Sequence, residues 1–161
     1  MNDYSRFRTR ILEKKLVPEE GIDFVSSDRH GAIIVFHGVT RDHTDQRKVL
    51  YLEYEAYIPM AKKKLDEVAM EMCNKWDVRV SIDHRLGKVK IRESSLIVAV
   101  GSPHRQEAYE ASEFSVNMLK ETVPIWKKEY FDGGDVWIGD EQGFRPLNYN
   151  CLLYTSDAAD E

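Results

Sequence analysis

The stretch SLIVAVGSPHRQEAYEAS, residues 95–112, decides the fold. Leu96 to Val100 is an unbroken apolar run of strand length, the pattern of a strand buried on both faces, and Gly101 closes it. Ser102 and Pro103 then read as an N-cap and the first helical position, where a missing amide hydrogen does no harm. Ala108, Ala111, Ser112, Ser115, Met118 and Leu119 follow at three- and four-residue spacing, predicting a long helix to about Lys120 with a small, apolar stripe. A buried strand running into such a helix calls for a sheet with helical cover.

Working outward, AIIVFHG (residues 32–38) is a second short apolar strand, and RDHTDQRK (41–48) reads as a polar loop. VLYLEYEAY (49–57) alternates, which puts Leu50, Leu52, Tyr54 and Ala56 on the buried face. Pro59 suits the first turn of a helix whose apolar side is Ala61, Leu65, Val68, Ala69, Met72, Cys73 and Trp76. VRVSIDHRLG (78–87) alternates again, and KVKI (88–91) reads as its neighbouring strand. Residues 5–15 read as a short helix, and 17–31 as a connection with one further helical turn. Beyond Pro124 the pattern is extended, with GGD at 133–135 before a last strand near Val136 to Ile138. The order β-β-α-β-β-β-α-β describes an α+β domain with two long helices on a mostly antiparallel sheet, without repeats.

The 161 residues, 42% hydrophobic and 32% charged, suit a single soluble domain over residues 1–150 that needs no disulfide. The apolar runs are far shorter than the ~20 residues that cross a bilayer. The charged beginning MNDYSRFRTRILEKK is unlike a secretory signal, so a cytoplasmic location is expected, with no membrane partner. The last eleven residues, CLLYTSDAADE, back-translate to a transposase-adapter sequence used in DNA library preparation, so Cys151 to Glu161 is read as non-native. Without Asp157, Asp160 and Glu161 the 28 acidic residues become 28 − 3 = 25 against 23 basic ones, and the net charge moves from −5 to −2. Only Cys73 then remains, on an apolar helix face, as a core thiol. Near-neutral charge without a basic stripe argues against nucleic acid.

Two places could carry chemistry. At GSPHRQE (101–107) a helix begins, and His104 and Arg105 lie in its first turn, where acids are usually preferred. Either an anion offsets this placement, or the pair is solvated or bound to Glu107 or Glu110. In NMLKETVPIWKKEYF (117–131), Lys120 fits a helix end, and Lys127 and Lys128 fit a solvated basic pair. Alternatively, Pro124 folds the chain back so that Lys120 and Lys127 share a pocket walled by Trp126, where neighbouring cations would lower a lysine's pKa. Arg41, after FHGVT, is an ordinary loop arginine on its own. His37, His43 and His104 have no metal-binding spacing, so no metal is expected.

Together, GAIIVFHGVTRDH, LEYEAY, PMA, HRLGKVKI, VAVGSPHRQEAYEAS, LKETVPIWKKEYF and GGDVWI resemble the successive blocks of the large, catalytic subunit of molybdopterin synthase, covering about residues 30–140 in order. The resemblance implies an α/β hammerhead-type domain with a small antiparallel β subdomain. It also implies a sulfurtransferase of molybdenum cofactor biosynthesis, acting without a cofactor of its own. Such an enzyme takes sulfur from the C-terminal Gly-Gly thiocarboxylate of a small ubiquitin-like subunit and places it on cyclic pyranopterin monophosphate, making the dithiolene of molybdopterin. Large subunits pair as a homodimer, a heterotetramer overall. By motif, Lys120 and Lys127 take the catalytic positions. Val39, Thr40, Arg41, His104, Arg105, Lys128 and Glu129 line the substrate site. Val39 departs from the family, which often has a basic residue there. A non-catalytic protein capturing a ubiquitin-like tail on the same fold is the rival reading, and retention of both lysines argues against it.

Overall fold

The Leu96–Val100 run lies inside a four-stranded sheet of order β1-β5-β7-β2, built from β1 (Phe7–Leu12), β5 (Arg79–Arg85), β7 (Ser94–Ser102) and β2 (Ala32–Val39). The structure is a computed structural model and describes residues 6–134, 136–140 and 143–146. β1 runs parallel to β5, whereas β5–β7 and β7–β2 are antiparallel. A second, antiparallel sheet has the order β10-β9-β8-β4-β3. It comprises β3 (His43–Thr44), β4 (Arg47–Ala56), β8 (Ile125–Phe131), β9 (Val136–Asp140) and β10 (Gly143–Pro146), with β6 (Gly87–Lys90) also paired to β4.

The long helices are α2 (Ile58–Lys75) and α3 (Arg105–Thr122). They pack on each other and on one face of the first sheet, α2 over β1 and β5, α3 over β7 and β2. Leu65, Met72, Ala111 and Leu119 meet Val80, Ile82, Val98 and Val100 there. Leu52, Val89 and Phe131 of the second sheet join the same core, so both sheets close on one apolar interior.

The opposite face of the first sheet is covered by α1 (Pro18–Val25), packed on β5 and β7. Its approach is close enough to dictate a residue. A Cβ on Gly101 would lie 2.3 Å from the Val25 carbonyl oxygen and 2.7 Å from His30 Nδ1, so no side chain fits.

Several expectations change. Residues 7–12 form β1, not a helix: Phe7 and Thr9 turn inward while Arg8 and Arg10 reach across to the buried Asp83 carboxylate, Arg10 at 2.8 and 2.7 Å. Residues 18–25 form a full helix. KVKI pairs with β4 rather than β5, because the turn at Gly87, with φ of 85°, swings the chain from one sheet into the other. Leu50 is exposed and Val49 takes its buried place, since a β-bulge between Val49 and Tyr51 resets the alternation. Ser102 ends β7, and its hydroxyl donates to the Asp77 carbonyl and the Glu107 carboxylate, which leaves His104 as the N-cap of α3. The Cys151–Glu161 reading lies outside the described residues. Among the described residues, no helix is long and apolar enough to cross a membrane.

Candidate functional site

β8 divides its side chains between two environments. Ile125, Glu129 and Phe131 are buried, and Lys127 shares their face by the two-residue period of a strand. Trp126, Lys128 and Tyr130 point to the other face, where Tyr130 stacks on Tyr51 and Lys128 binds Glu55 at 2.8 Å. The expected pocket wall therefore does not form: Trp126 is 45% exposed on the side of the sheet opposite Lys127. Pro124 does end the helix, with Val123 as its C-cap, and β8 begins at once.

On the inner face, Lys127 pairs in register with Tyr54, and Glu129 with Leu52. The Lys127 ammonium lies 3.7 Å from Glu129 Oε1, and Thr44 donates its hydroxyl to the same oxygen at 3.4 Å. Glu129 Oε2 is buried and has no hydrogen-bond partner among the described residues. Burial pushes the Glu129 carboxyl above the ordinary carboxylate range, opposed by the charges of Lys127 and Arg41 and by the Thr44 hydrogen bond. Thr44 is held there by a two-residue hairpin in which Asp45 and Gln46 take φ of 48° and 66°, the left-handed turn that suits the twist of paired strands. Sequence reading missed Thr44: neither Asp-Gln nor the polar run around it signals a hairpin.

Val39, Thr40 and Arg41 leave the end of β2 on the same side of the molecule. A register shift after Gly38 pairs Val39 with Ser94 and leaves its side chain exposed. Thr40 is buried, its amide donating to the Glu93 carbonyl and its own carbonyl accepting from the Arg92 amide. The Thr40 hydroxyl has no hydrogen-bond partner among the described residues. Arg41 is exposed, close enough for its charge to act on Glu129.

His104 and Arg105 are elsewhere. β2 pairs Ala32 with Ser102 at one end and Val39 with Ser94 at the other, so the start of α3 and the Arg41 loop are separated by the length of β2. Eight residues of strand span roughly 25 Å. α3 then packs back along β7 and β2, and its 18 residues cover about 27 Å, which returns Lys120 to the Arg41 end. One chain thus gathers Val39, Thr40, Arg41, Lys120, Lys127 and Glu129 towards one end of the fold. It holds His104 and Arg105 at the other end and Lys128 on the outer face of the second sheet. No group of three or more metal-ligating side chains occurs among the described residues.

Exposed and half-buried cations beside a buried, incompletely bonded carboxylate can hold an anion, on a two-sheet α+β scaffold. The chain belongs to the MoaE protein family, whose model matches residues 11–122. It is 43% identical over 135 residues to the molybdopterin synthase catalytic subunit of Staphylococcus carnosus, across 83% of this chain and 90% of the relative. The subunit of the same name from Halalkalibacterium halodurans is 42% identical over 135 residues, across 83% and 86%. Among solved structures, molybdopterin synthase from Staphylococcus aureus superposes with a TM-score of 0.77 at 42% identity, covering 80% of this chain and 94% of that one. A complex of subunits 1 and 2 of molybdopterin-converting factor from Helicobacter pylori shares the fold, with a TM-score of 0.63 at 21% identity over 88% and 90% of the two chains.

Proposed function

We propose that this chain works as the catalytic half of a molybdopterin synthase. It moves sulfur from the thiocarboxylate at the C-terminus of a small ubiquitin-like subunit onto cyclic pyranopterin monophosphate. The chain is a sulfurtransferase of molybdenum cofactor biosynthesis, as its relatives' shared name and their extent of identity establish. The observation that carries the finer reading is the Lys127–Glu129 pair next to Arg41, at the end of the fold to which α3 returns Lys120.

Arg41 and the Thr40 hydroxyl suit the cyclic phosphate: a guanidinium binds two phosphate oxygens at once, and a buried hydroxyl lacking a partner is a ready donor. Lys120 assists attack by the thiocarboxylate sulfur and collapse of the acyl intermediate, and Lys127 holds the pterin or relays protons. Cys73 is buried in the core and takes no part. The reaction takes place in the cytoplasm.

His104 and Arg105 enter the site only from a second copy, because about 25 Å of strand separates them from Arg41 within one chain. Two-fold pairing of large subunits, each binding one small subunit, gives both sites the same composition. Mixing purified protein with a thiocarboxylated small subunit and cyclic pyranopterin monophosphate is expected to yield molybdopterin, and wild-type protein that gives none sinks the enzyme reading. Random mixing of Arg41→Ala and His104→Ala chains makes half the dimers hybrid, each with one intact site. Activity should then recover to roughly a quarter of wild type. No recovery would place both residues in one chain's site.

A further inference from the structure

Glu129, which the resemblance places in the substrate lining, is a buried carboxyl to which the mechanism above gives no chemical step. We propose that Glu129 is a positioning residue whose carboxylate, behind Lys127, fixes both the place and the charge of the Lys127 amine. This rests on the reading of Lys127 as a catalytic lysine.

The two residues are two apart on β8, so their side chains leave the same face, and the ammonium lies 3.7 Å from Oε1. Glu129 is 3% exposed and lies behind the half-buried Lys127. The groups facing Glu129 are Lys127 on its own strand, Thr44 from β3, Arg41 from the β2–β3 connection and apolar Leu52 opposite it on β4. Tyr54, packed edge-on against His84, lies opposite Lys127. Burial disfavours the Glu129 anion while Lys127, Thr44 and Arg41 favour it, so the ionised form depends on the lysine being charged. A proton that passes from Lys127 to Glu129 breaks an N–H bond and forms an O–H bond, with no change in total charge. An anion bound beside Lys127 favours the ammonium form. When that anion leaves the site the ammonium loses this support, and Glu129 is the group to which the proton can pass.

The test substitutes Glu129→Gln, which keeps the shape and an acceptor for Thr44 but carries no charge. In chain labelled with 15N-lysine, NMR follows the Lys127 amine against pH. Lys127 is expected to lose its proton at lower pH in the variant than in wild type, and kcat to fall about tenfold, the effect of roughly one pK unit, with KM nearly constant. A folded variant in which the Lys127 titration does not move overturns the proposal. Because this readout needs no turnover, it stands apart from failure of the sulfur-transfer reading. Should Glu129→Gln not fold, Thr44→Val removes only the hydroxyl donor. The Glu129 inflection sensed at the Lys127 nitrogen is then expected to move to higher pH. A Lys127 signal that ignores Thr44→Val rejects the proposal equally.

Discussion

Two adjacent lysines of β8 each pair with a glutamate, one on either face of the sheet, Lys128 with Glu55 of β4 and Lys127 with Glu129 of β8 itself. On the outer face, Lys128 and Glu55 lie 2.8 Å apart, and the Glu55 side chain is 53% exposed. On the inner face, Lys127 and Glu129 are 3.7 Å apart, and the Glu129 side chain is 4% exposed. The better-made pair is the one in water. Each of its partners is shifted towards its charged form by the other, Glu55 downward and Lys128 upward. The inner carboxyl shifts upward, because what burial removes exceeds what a lysine at 3.7 Å returns. Close geometry in solvent contributes little to stability, whereas a looser pair in a dry setting leaves a group ready to change its charge.

The largest expected effect is on catalysis. Lys127→Ala and Lys120→Ala should each lower turnover by roughly 10²- to 10⁴-fold, the range for loss of a positioned proton-transfer group. Binding of the small subunit, followed by calorimetry, should be retained. A variant at either position that keeps wild-type turnover removes that lysine from the mechanism.

The next effect is on stability, and its sign separates the faces. A carboxyl whose pKa is raised by folding holds more protons in the native than in the unfolded state, so its contribution falls as pH rises from the unfolded carboxyl value through the folded one. Between about pH 4.3, the ordinary glutamate value, and neutrality, wild type should therefore lose stability relative to Glu129→Gln, measured by chemical denaturation across pH. For Glu55 the shift is downward, so its contribution is present above the unfolded value and lost as pH falls through the folded one. Glu55→Gln should then remove stability at neutral pH and none in acid. Parallel pH profiles for the two variants would erase the distinction.

The smallest effect is the size of that outer contribution. Glu55→Gln is expected to lower stability by about 0.2–1 kcal/mol, the usual worth of a surface pair. The difference should shrink in 1 M salt, where charges are screened within ~3 Å. A salt-independent loss above that range would mean that the pair is shielded.

The strongly periodic parts of the fold were legible, and the reasons are visible in particular residues. β7 carries an unbroken apolar run of strand length and α2 a clear helical period, and both are found where those patterns put them. β1 was not legible, because Phe7 and Thr9 alternate with arginines that make sense only against Asp83, on a strand more than 70 residues later. Leu50 and Val49 exchanged roles through a bulge that the alternation itself does not announce. In the site, Lys127 and Glu129 follow from reading β8 as a strand, and that reading also sends Trp126 away from them. Antiparallel pairing of β2 with β7, which separates Arg41 from His104 and Arg105, is a property of topology and leaves no trace in spacing.

Gly101 has a meaning for inheritance as well as for packing. With the Val25 carbonyl 2.3 Å from where a Cβ would be, any replacement must lift α1 from the sheet. In a genetic selection for loss of activity, codon 101 should therefore yield recessive, temperature-sensitive alleles with every amino-acid change. Codon 41 should instead yield folded chains that are inactive at every temperature.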